Sequence, residues 1–299
     1  MYRSRPFLEQ FLAECLQGLA DIKCTKFEIV LVNDGSPDDS LAYALERRGD
    51  IPQLVMVDLS RNFGHHHAAQ AGLRHAVGSL IFLIDCDLET SPLVLPQFHR
   101  KLCESRCDIV YGYQEARKGG WFEKMSGSVF WKGFNFLSDI KIPENATTER
   151  IMTRRFVEAL LQMGDYNLFL GGMMSWTGFK QIGLPVVKKQ REGRNTYTPM
   201  RRIGLMVNAV SSFSSQPLIW LFYIGVVITL LSFSFMFYLG LRKLIFDDAL
   251  LGFTSIMGLI TLTLGILTTG MGMLGIYLGK MFNQVQNRPT FIVKEIYRS

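Results

Sequence analysis

Two uncharged runs near the C-terminus constrain this chain more than any other feature. Pro217–Leu241, PLIWLFYIGVVITLLSFSFMFYLGL, holds no Asp, Glu, Lys, Arg or His. Its roughly 25 residues would reach about 37 Å as a helix, enough to cross a ~30 Å hydrocarbon core with tilt. Ala249–Gly279 is a second such run, of about 31 residues. A domain of this size cannot bury two helices that are apolar on every face, so membrane helices are expected in place of core helices. Only Arg242–Asp248 separates the runs, which predicts a tight hairpin with both outer ends on one side. That side carries Arg194, Arg201 and Arg202 before the hairpin and Lys280, Arg288, Lys294 and Arg298 after it. The loop between the runs balances Arg242 and Lys243 against Asp247 and Asp248. The bias of Lys and Arg places the N-terminal domain in the cytoplasm. Residues 1–20 lack a continuous apolar core, so no cleavable signal is expected. Gly275 and Gly279 form a GxxxG, suited to packing within the hairpin or between copies of the chain.

The rest of the 299 residues has ordinary soluble composition. With 48% apolar and 19% charged residues overall, disorder, collagen and disulfide scaffolds are excluded. The net charge of +6 suits anionic lipid or phosphorylated substrates, although so moderate an excess decides nothing alone. No nucleic-acid partner is expected. The five cysteines form no CxxC pair, and reduced thiols in a cytosolic compartment are expected.

Phe27–Asn33, Leu54–Leu59, Leu80–Ile84 and Asp108–Tyr113 are short, apolar and β-branched, which predicts strands. Ser40–Arg48, Ala68–Val77 and Leu93–Cys103 have helix length between or after them. The alternation predicts an α/β domain with a mainly parallel sheet covered on both faces. Ligands in such sheets bind beyond the carboxyl ends of the strands. At those ends the four strands lead, in turn, into Asp34-Gly35-Ser36, Ser60 to His65, Asp85-Cys86-Asp87 and Gln114-Glu115-Ala116-Arg117. Two carboxylates one residue apart at the end of a buried strand make a hard oxygen site for Mg²⁺ or Mn²⁺, suited to a departing diphosphate. The plainer alternative is that one Asp caps the next helix and the other is solvated. Asp34 is either a turn residue or part of the site. His65, His66 and His67 cannot converge on one ion, being consecutive, so a helix start near the ligand with one imidazole touching it is expected. His75 and His99 fall on helix surfaces and receive no role.

Together these residues resemble the family 2 glycosyltransferases, and more closely the bacterial membrane-anchored polyprenyl-phosphate glycosyltransferases related to dolichol-phosphate mannose synthase. The resemblance is carried by VNDGSPDDS (32–40), SRNFGHHHAAQAGL (60–73), DCDLETSP (85–92), RIMTRR (150–155), REGRNTY (191–197), the hairpin and YLGKMFNQVQNRPTFIV (277–293). It covers nearly the whole chain, with the motifs in the family's order. It implies a GT-A catalytic domain over 1–199, a juxtamembrane amphipathic segment at 200–215, a transmembrane hairpin at 216–279 and a cytoplasmic tail at 280–299. Asp34 would contact the base or ribose of a nucleotide sugar, with UDP favoured over GDP on family frequency. Asp85 and Asp87 would hold the Mg²⁺ or Mn²⁺ that bridges the donor diphosphate, and Asp87 with Glu149 would form the catalytic pair. Arg191 would bind a phosphate of donor or acceptor, with Arg150, Arg154 and Arg155 as further phosphate candidates, and Arg117 is expected to bind substrate. Met200–Ser215 would lie at the interface and bring a lipid phosphate to the site.

Three departures from the family pattern accompany this. The chain opens Met1-Tyr2-Arg3-Ser4-Arg5-Pro6, where the family has a strand ending in a PVYNE-like segment, as if Tyr2 were that tyrosine. Met1 is therefore expected to stand at an internal start, with the protein beginning roughly ten residues earlier. The Asp of a DFRLM-like segment is Thr148 here, leaving Glu149 as the stand-in. A lipid phosphate is already largely dianionic at neutral pH, so proximity and metal-assisted departure of the nucleoside diphosphate can suffice. The family's Lys before Tyr in the basic motif is Thr196. The resemblance implies an inverting transferase that moves a sugar to polyprenyl (undecaprenyl) phosphate at the bacterial inner membrane, for surface polysaccharide. Alternatives are a transferase extending an already glycosylated lipid and a degenerate non-catalytic membrane partner. Processive synthases are disfavoured, because they need more spans and a QxxRW-like segment.

Overall fold

The computed structural model describes residues 1–114, 143, 145–166, 168–188, 211, 214–246 and 252–298. Arg117, Arg191, Thr196 and most of the expected juxtamembrane segment lie outside the described residues. The chain divides into two compact units, Met1–Trp131 with Ile140–Tyr197 and Asn287–Ser299, and Lys132–Asp139 with Thr198–Gln286.

The first unit begins with helix α1 (Arg5–Asp21), which has Pro6 in its first turn, where a missing N–H costs nothing. Its Leu8, Phe11 and Leu12 are buried against Leu31, Ala44, Leu54 and Met56. Strand β1 (Ile29–Asn33), helix α2 (Ser40–Arg47) and strand β2 (Leu54–Leu59) come next. Every residue of β2 is buried, as its nearly unbroken apolar run requires of a strand covered on both faces. Its Asp58 is paired by Asn33 Nδ2 at 2.7 Å and Lys294 Nζ at 3.5 Å. The chain continues through helix α3 (His65–His75), strand β3 (Leu80–Leu83), a short 3₁₀ turn and helix α4 (Leu95–Ser105). Strands β4 (Ile109–Tyr113) and β5 (Ala146–Thr153), helices α5 (Arg154–Leu161) and α6 (Leu170–Trp176), and strand β6 (Gln181–Pro185) complete the central part.

The sheet is mixed, which corrects the mainly parallel expectation. One sheet has the order β1-β2-β7, where β7 is Val293–Tyr297, and the other runs β3-β5-β4-β6. β1–β2 and β4–β6 pair parallel; β2–β7, β3–β5 and β4–β5 pair antiparallel. The causes are β5, which enters between β3 and β4 against both of them, and β7, which runs against β2. Of the residues expected as a C-terminal tail, 280–299, Asn287–Ser299 belong to the first unit. Phe291 is buried among Val32, Val57, Leu59 and Ala71, and Thr290 Oγ1 bonds Gln70 Oε1 at 2.9 Å. The final residues thus form an edge strand of the first unit.

β1 and β3 each end their sheet, and a cavity of about 490 Å³ runs along both of them. Its walls include Ile29–Val32, Leu80–Ile84, Phe11 and Cys15 of α1, and Ala69 and Gly72 of α3. At one end Met1 sits beside β1. Its amino group donates to Val32 O, and Asp34 N donates to Met1 O at 3.0 Å, as in a rung of a parallel ladder.

In the second unit, helices α7 (Gln216–Phe246) and α8 (Phe253–Val285) succeed one another. Among the described residues one stretch, Leu262–Val285, is long and apolar enough to cross a membrane, and Gln216–Ile228 is a shorter apolar stretch. The connection at 247–251 lies outside the described residues. A Cβ on Gly270 would meet the Leu221 side chain at 3.5 Å, whereas Gly275 and Gly279 of the GxxxG have nothing within 4 Å. Among the described residues, close packing against α7 falls on Gly270.

Candidate active site

Three loops at the carboxyl ends of β1, β2 and β3 are tied to one another. Gly35 takes φ 60, and a Cβ there would lie 2.5 Å from Asn62 N, so the first turn needs a glycine for both its torsion and its contact. Asp34 is 4% exposed, and its carboxylate accepts from Phe63 N at 2.7 Å and Gly64 N at 3.0 Å. Its first function in the fold is thus to pin the second loop. Asp38, the next acid of this motif, is lowered to about 2: burial, which raises it, is outweighed by hydrogen bonds from Ser36, Ser40 and the Arg5 amide.

The second loop reaches the third through His65, whose Nδ1 lies 3.4 Å from Asp85 Oδ1. Asp85 and Asp87 both keep partial exposure at the end of β3. Asp87 Oδ1 accepts from Glu89 N at 3.0 Å across Leu88, which holds φ 57. That left-handed residue is strained for a branched side chain, as segments at functional sites often are. Among the described residues no three His, Cys, Asp or Glu side chains group as a metal cage. Two carboxylates completed by substrate phosphates are, however, the ordinary donor set for Mg²⁺ and Mn²⁺. The residues present fit such an ion.

The histidine run divides as its spacing requires. His65 faces Asp85, and His66 is lowered to about 4 by burial and by His65, His67 and Arg150. His67 is lowered too, by burial first.

Strand β5 carries the next pair on opposite faces. Arg150 is half-buried and lowered to about 10 by desolvation, against the pull of Glu149 and Tyr111. Glu149 is 1% exposed, and its Oε1 lies 3.8 Å from Lys188 Nζ. Lys188 also reaches Glu89 Oε2 at 3.4 Å. Burial would lower its pKa, but Glu149, Glu89 and Asp85 together raise it. Arg154 and Arg155 make contacts within the fold. Arg154 donates to Ala76 O at 2.8 Å and Gly78 O at 3.0 Å, and Arg155 pairs with Asp108.

Lys188 is the site residue that the sequence does not disclose. It comes after the apolar β6 in a plain VVKK, and no spacing distinguishes it from a solvated lysine. Of the expected residues, the described loops bring Asp34, Asp85 and Asp87 to the neighbouring carboxyl ends of β1 and β3. Glu149 joins them through Lys188 and Glu89.

Residues 1–161, more than half of the chain, match the description Glycosyl transferase family 2. The chain belongs to that family. This glycosyltransferase is 36% identical over its whole length, and 87% of the other's, to a Mycobacterium tuberculosis (strain CDC 1551 / Oshkosh) protein named among the glycosyltransferases. It is 33% identical to the prophage bactoprenol glucosyl transferase homolog of Escherichia coli (strain K12), over 92% of this chain and 90% of that one. Among solved structures, the mannosyltransferase PcManGT from Pyrobaculum calidifontis in complex with GDP-Man and Mn²⁺ aligns at 20% identity and a TM-score of 0.48. That alignment covers 70% of this chain and 60% of the other, a likeness that carries no argument about donor or metal. The glycosyltransferase has a GT-A-like fold with mixed sheets.

Proposed function

We propose that this glycosyltransferase moves one hexose-type sugar from a nucleoside diphosphate, UDP in preference to GDP, to a polyprenyl phosphate at the cytoplasmic face of a bacterial inner membrane. The observation that carries this is end-to-end similarity to relatives named for bactoprenol glucosyl transfer, in a chain that keeps two carboxylates at the end of β3. The product, a lipid-linked monosaccharide phosphate, would feed surface polysaccharide.

A phosphate oxygen of the lipid attacks the anomeric carbon while the bond from that carbon to the diphosphate oxygen breaks. The nucleoside diphosphate leaves with the electron pair, and the configuration inverts. The attacking phosphate is largely dianionic at neutral pH, so no proton has to be removed first. Asp85 and Asp87 are the residues that would hold Mg²⁺ or Mn²⁺, which supplies charge neutralisation to the leaving diphosphate. His65 orients Asp85, and the Asp34 clamp keeps His65 within reach. Arg150 and Arg191 are the candidates for phosphate contact, Arg117 for substrate contact, and Asp87 and Glu149 remain the proposed catalytic pair. The apolar helices α7 and α8 are the proposed hairpin anchor. Transfer of radiolabel from a nucleotide sugar into solvent-extractable lipid tests the reading. Wild type gives label with undecaprenyl phosphate and Mn²⁺, and Asp87→Ala loses at least about a hundredfold of it. Equal labelling by the variant contradicts the assignment.

A further inference from the structure

Glu149 is only 1% exposed, and its Oε2 is buried with no hydrogen-bond partner among the described residues. Oε1 of the same carboxylate faces Lys188 Nζ at 3.8 Å, and that ammonium is shared with Glu89 at 3.4 Å. An orphaned carboxylate oxygen in a buried site is costly, and native structures keep one where a ligand completes it. A carboxylate oxygen facing Lys188 serves as an acceptor, so the completing atom has to bring a hydrogen.

Of the groups in the proposed reaction, the lipid phosphate and the donor diphosphate offer anionic oxygens that this carboxylate repels. The base and ribose carry hydrogens, but at the end of the donor away from the metal carboxylates. Glu149 belongs to the diphosphate end: Lys188 links it to Glu89, two residues beyond Asp87, and also interacts with Asp85. What brings hydroxyls to that end is the sugar being transferred.

We propose that Glu149 Oε2 accepts a hydroxyl of the transferred sugar and that Lys188 is its positioning residue. Lys188 Nζ lies 3.8 Å from Oε1, which leaves Oε2 as the oxygen still open to a donor. Its charge also offsets Glu149 and Glu89, so that the anionic donor meets less repulsion. This rests on the reading of the chain as a nucleotide-sugar transferase and adds to it where the sugar is recognised. A site built to bind a hydroxyl rejects an analogue that lacks or misplaces it far more strongly than an apolar wall does.

The test uses the full chain in detergent with Mn²⁺, undecaprenyl phosphate and UDP-glucose, UDP-galactose, UDP-N-acetylglucosamine and GDP-mannose. Initial rates are read for each donor, and inhibition by the nucleoside diphosphate of the preferred donor serves as the control. Glu149→Gln is expected to lower kcat/KM for that donor about ten- to a hundredfold and to narrow its preference over the epimer, while inhibition by the nucleoside diphosphate stays within about twofold. Lys188→Met shows the same split, and Lys188→Arg restores most of the loss. Equal weakening of donor and nucleoside diphosphate would mean a structural role and overturn the proposal. So would unchanged donor preference in both variants. A wild-type chain that transfers from none of the four donors overturns the functional reading itself, an outcome distinct from either of these.

Discussion

Both carboxylate oxygens of Asp34 accept backbone N–H groups of the 60–65 loop, and through that loop His65 reaches Asp85. One buried acid thus orders a second one across the site. Hydrogen bonds to a carboxylate contribute about 1.5–3 kcal/mol each, so losing both in Asp34→Ala is expected to cost about 3–6 kcal/mol and to speed amide exchange at Phe63 and Gly64. Thermal unfolding with exchange mass spectrometry checks both. His66 is neutral where it is buried, with a pKa near 4 against an ordinary 6.5. A depressed histidine pKa gives stability that is complete above pH 6.5 and is lost as pH falls through 4, here about 3 kcal/mol over that window. Melting curves between pH 7 and pH 4 are expected to show this slope, and His66→Phe to flatten it.

At the scale of elements, legibility tracks how far a segment's environment matches its composition. β2 has the bounds its sequence predicts because LVMVDL is buried on both faces and reads as nothing else. β5, ATTERIMT, is hidden because it carries Glu149 and Arg150 on opposite faces, the charges a buried strand normally lacks. α1 escapes for another reason: residues 1–20 have no continuous apolar core, and Leu8, Phe11 and Leu12 form a stripe instead. β7 pairs with β2 from more than two hundred residues away, and no local pattern encodes that partner. The DxD pair and the VNDGS turn are legible because their chemistry is local. The Lys188 link is not, since only tertiary packing brings Lys188 to Glu149. β7 also carries an energetic expectation: Phe291→Ala should destabilise the first unit by about 3–5 kcal/mol, measured by denaturant unfolding, as for a large core side chain. A cost under about 1 kcal/mol would show that the strand is peripheral.

The whole first unit is built on two sheets whose facing edges, β1 and β3, line one cavity of about 490 Å³. Met1 makes one rung beside β1 at an end of that cavity, its amino group donating to Val32 O and its carbonyl accepting from Asp34 N.

The most direct test of the central claim is the chemical identity of the lipid product. Purified chain, undecaprenyl phosphate, Mn²⁺ and the accepted nucleotide sugar are incubated, and the extracted lipid is analysed by mass spectrometry before and after mild acid. The expected product is undecaprenyl phosphate carrying one sugar, which acid releases as the free monosaccharide. A lipid that gains a sugar only when it is already glycosylated, or no modified lipid from any donor, contradicts the account.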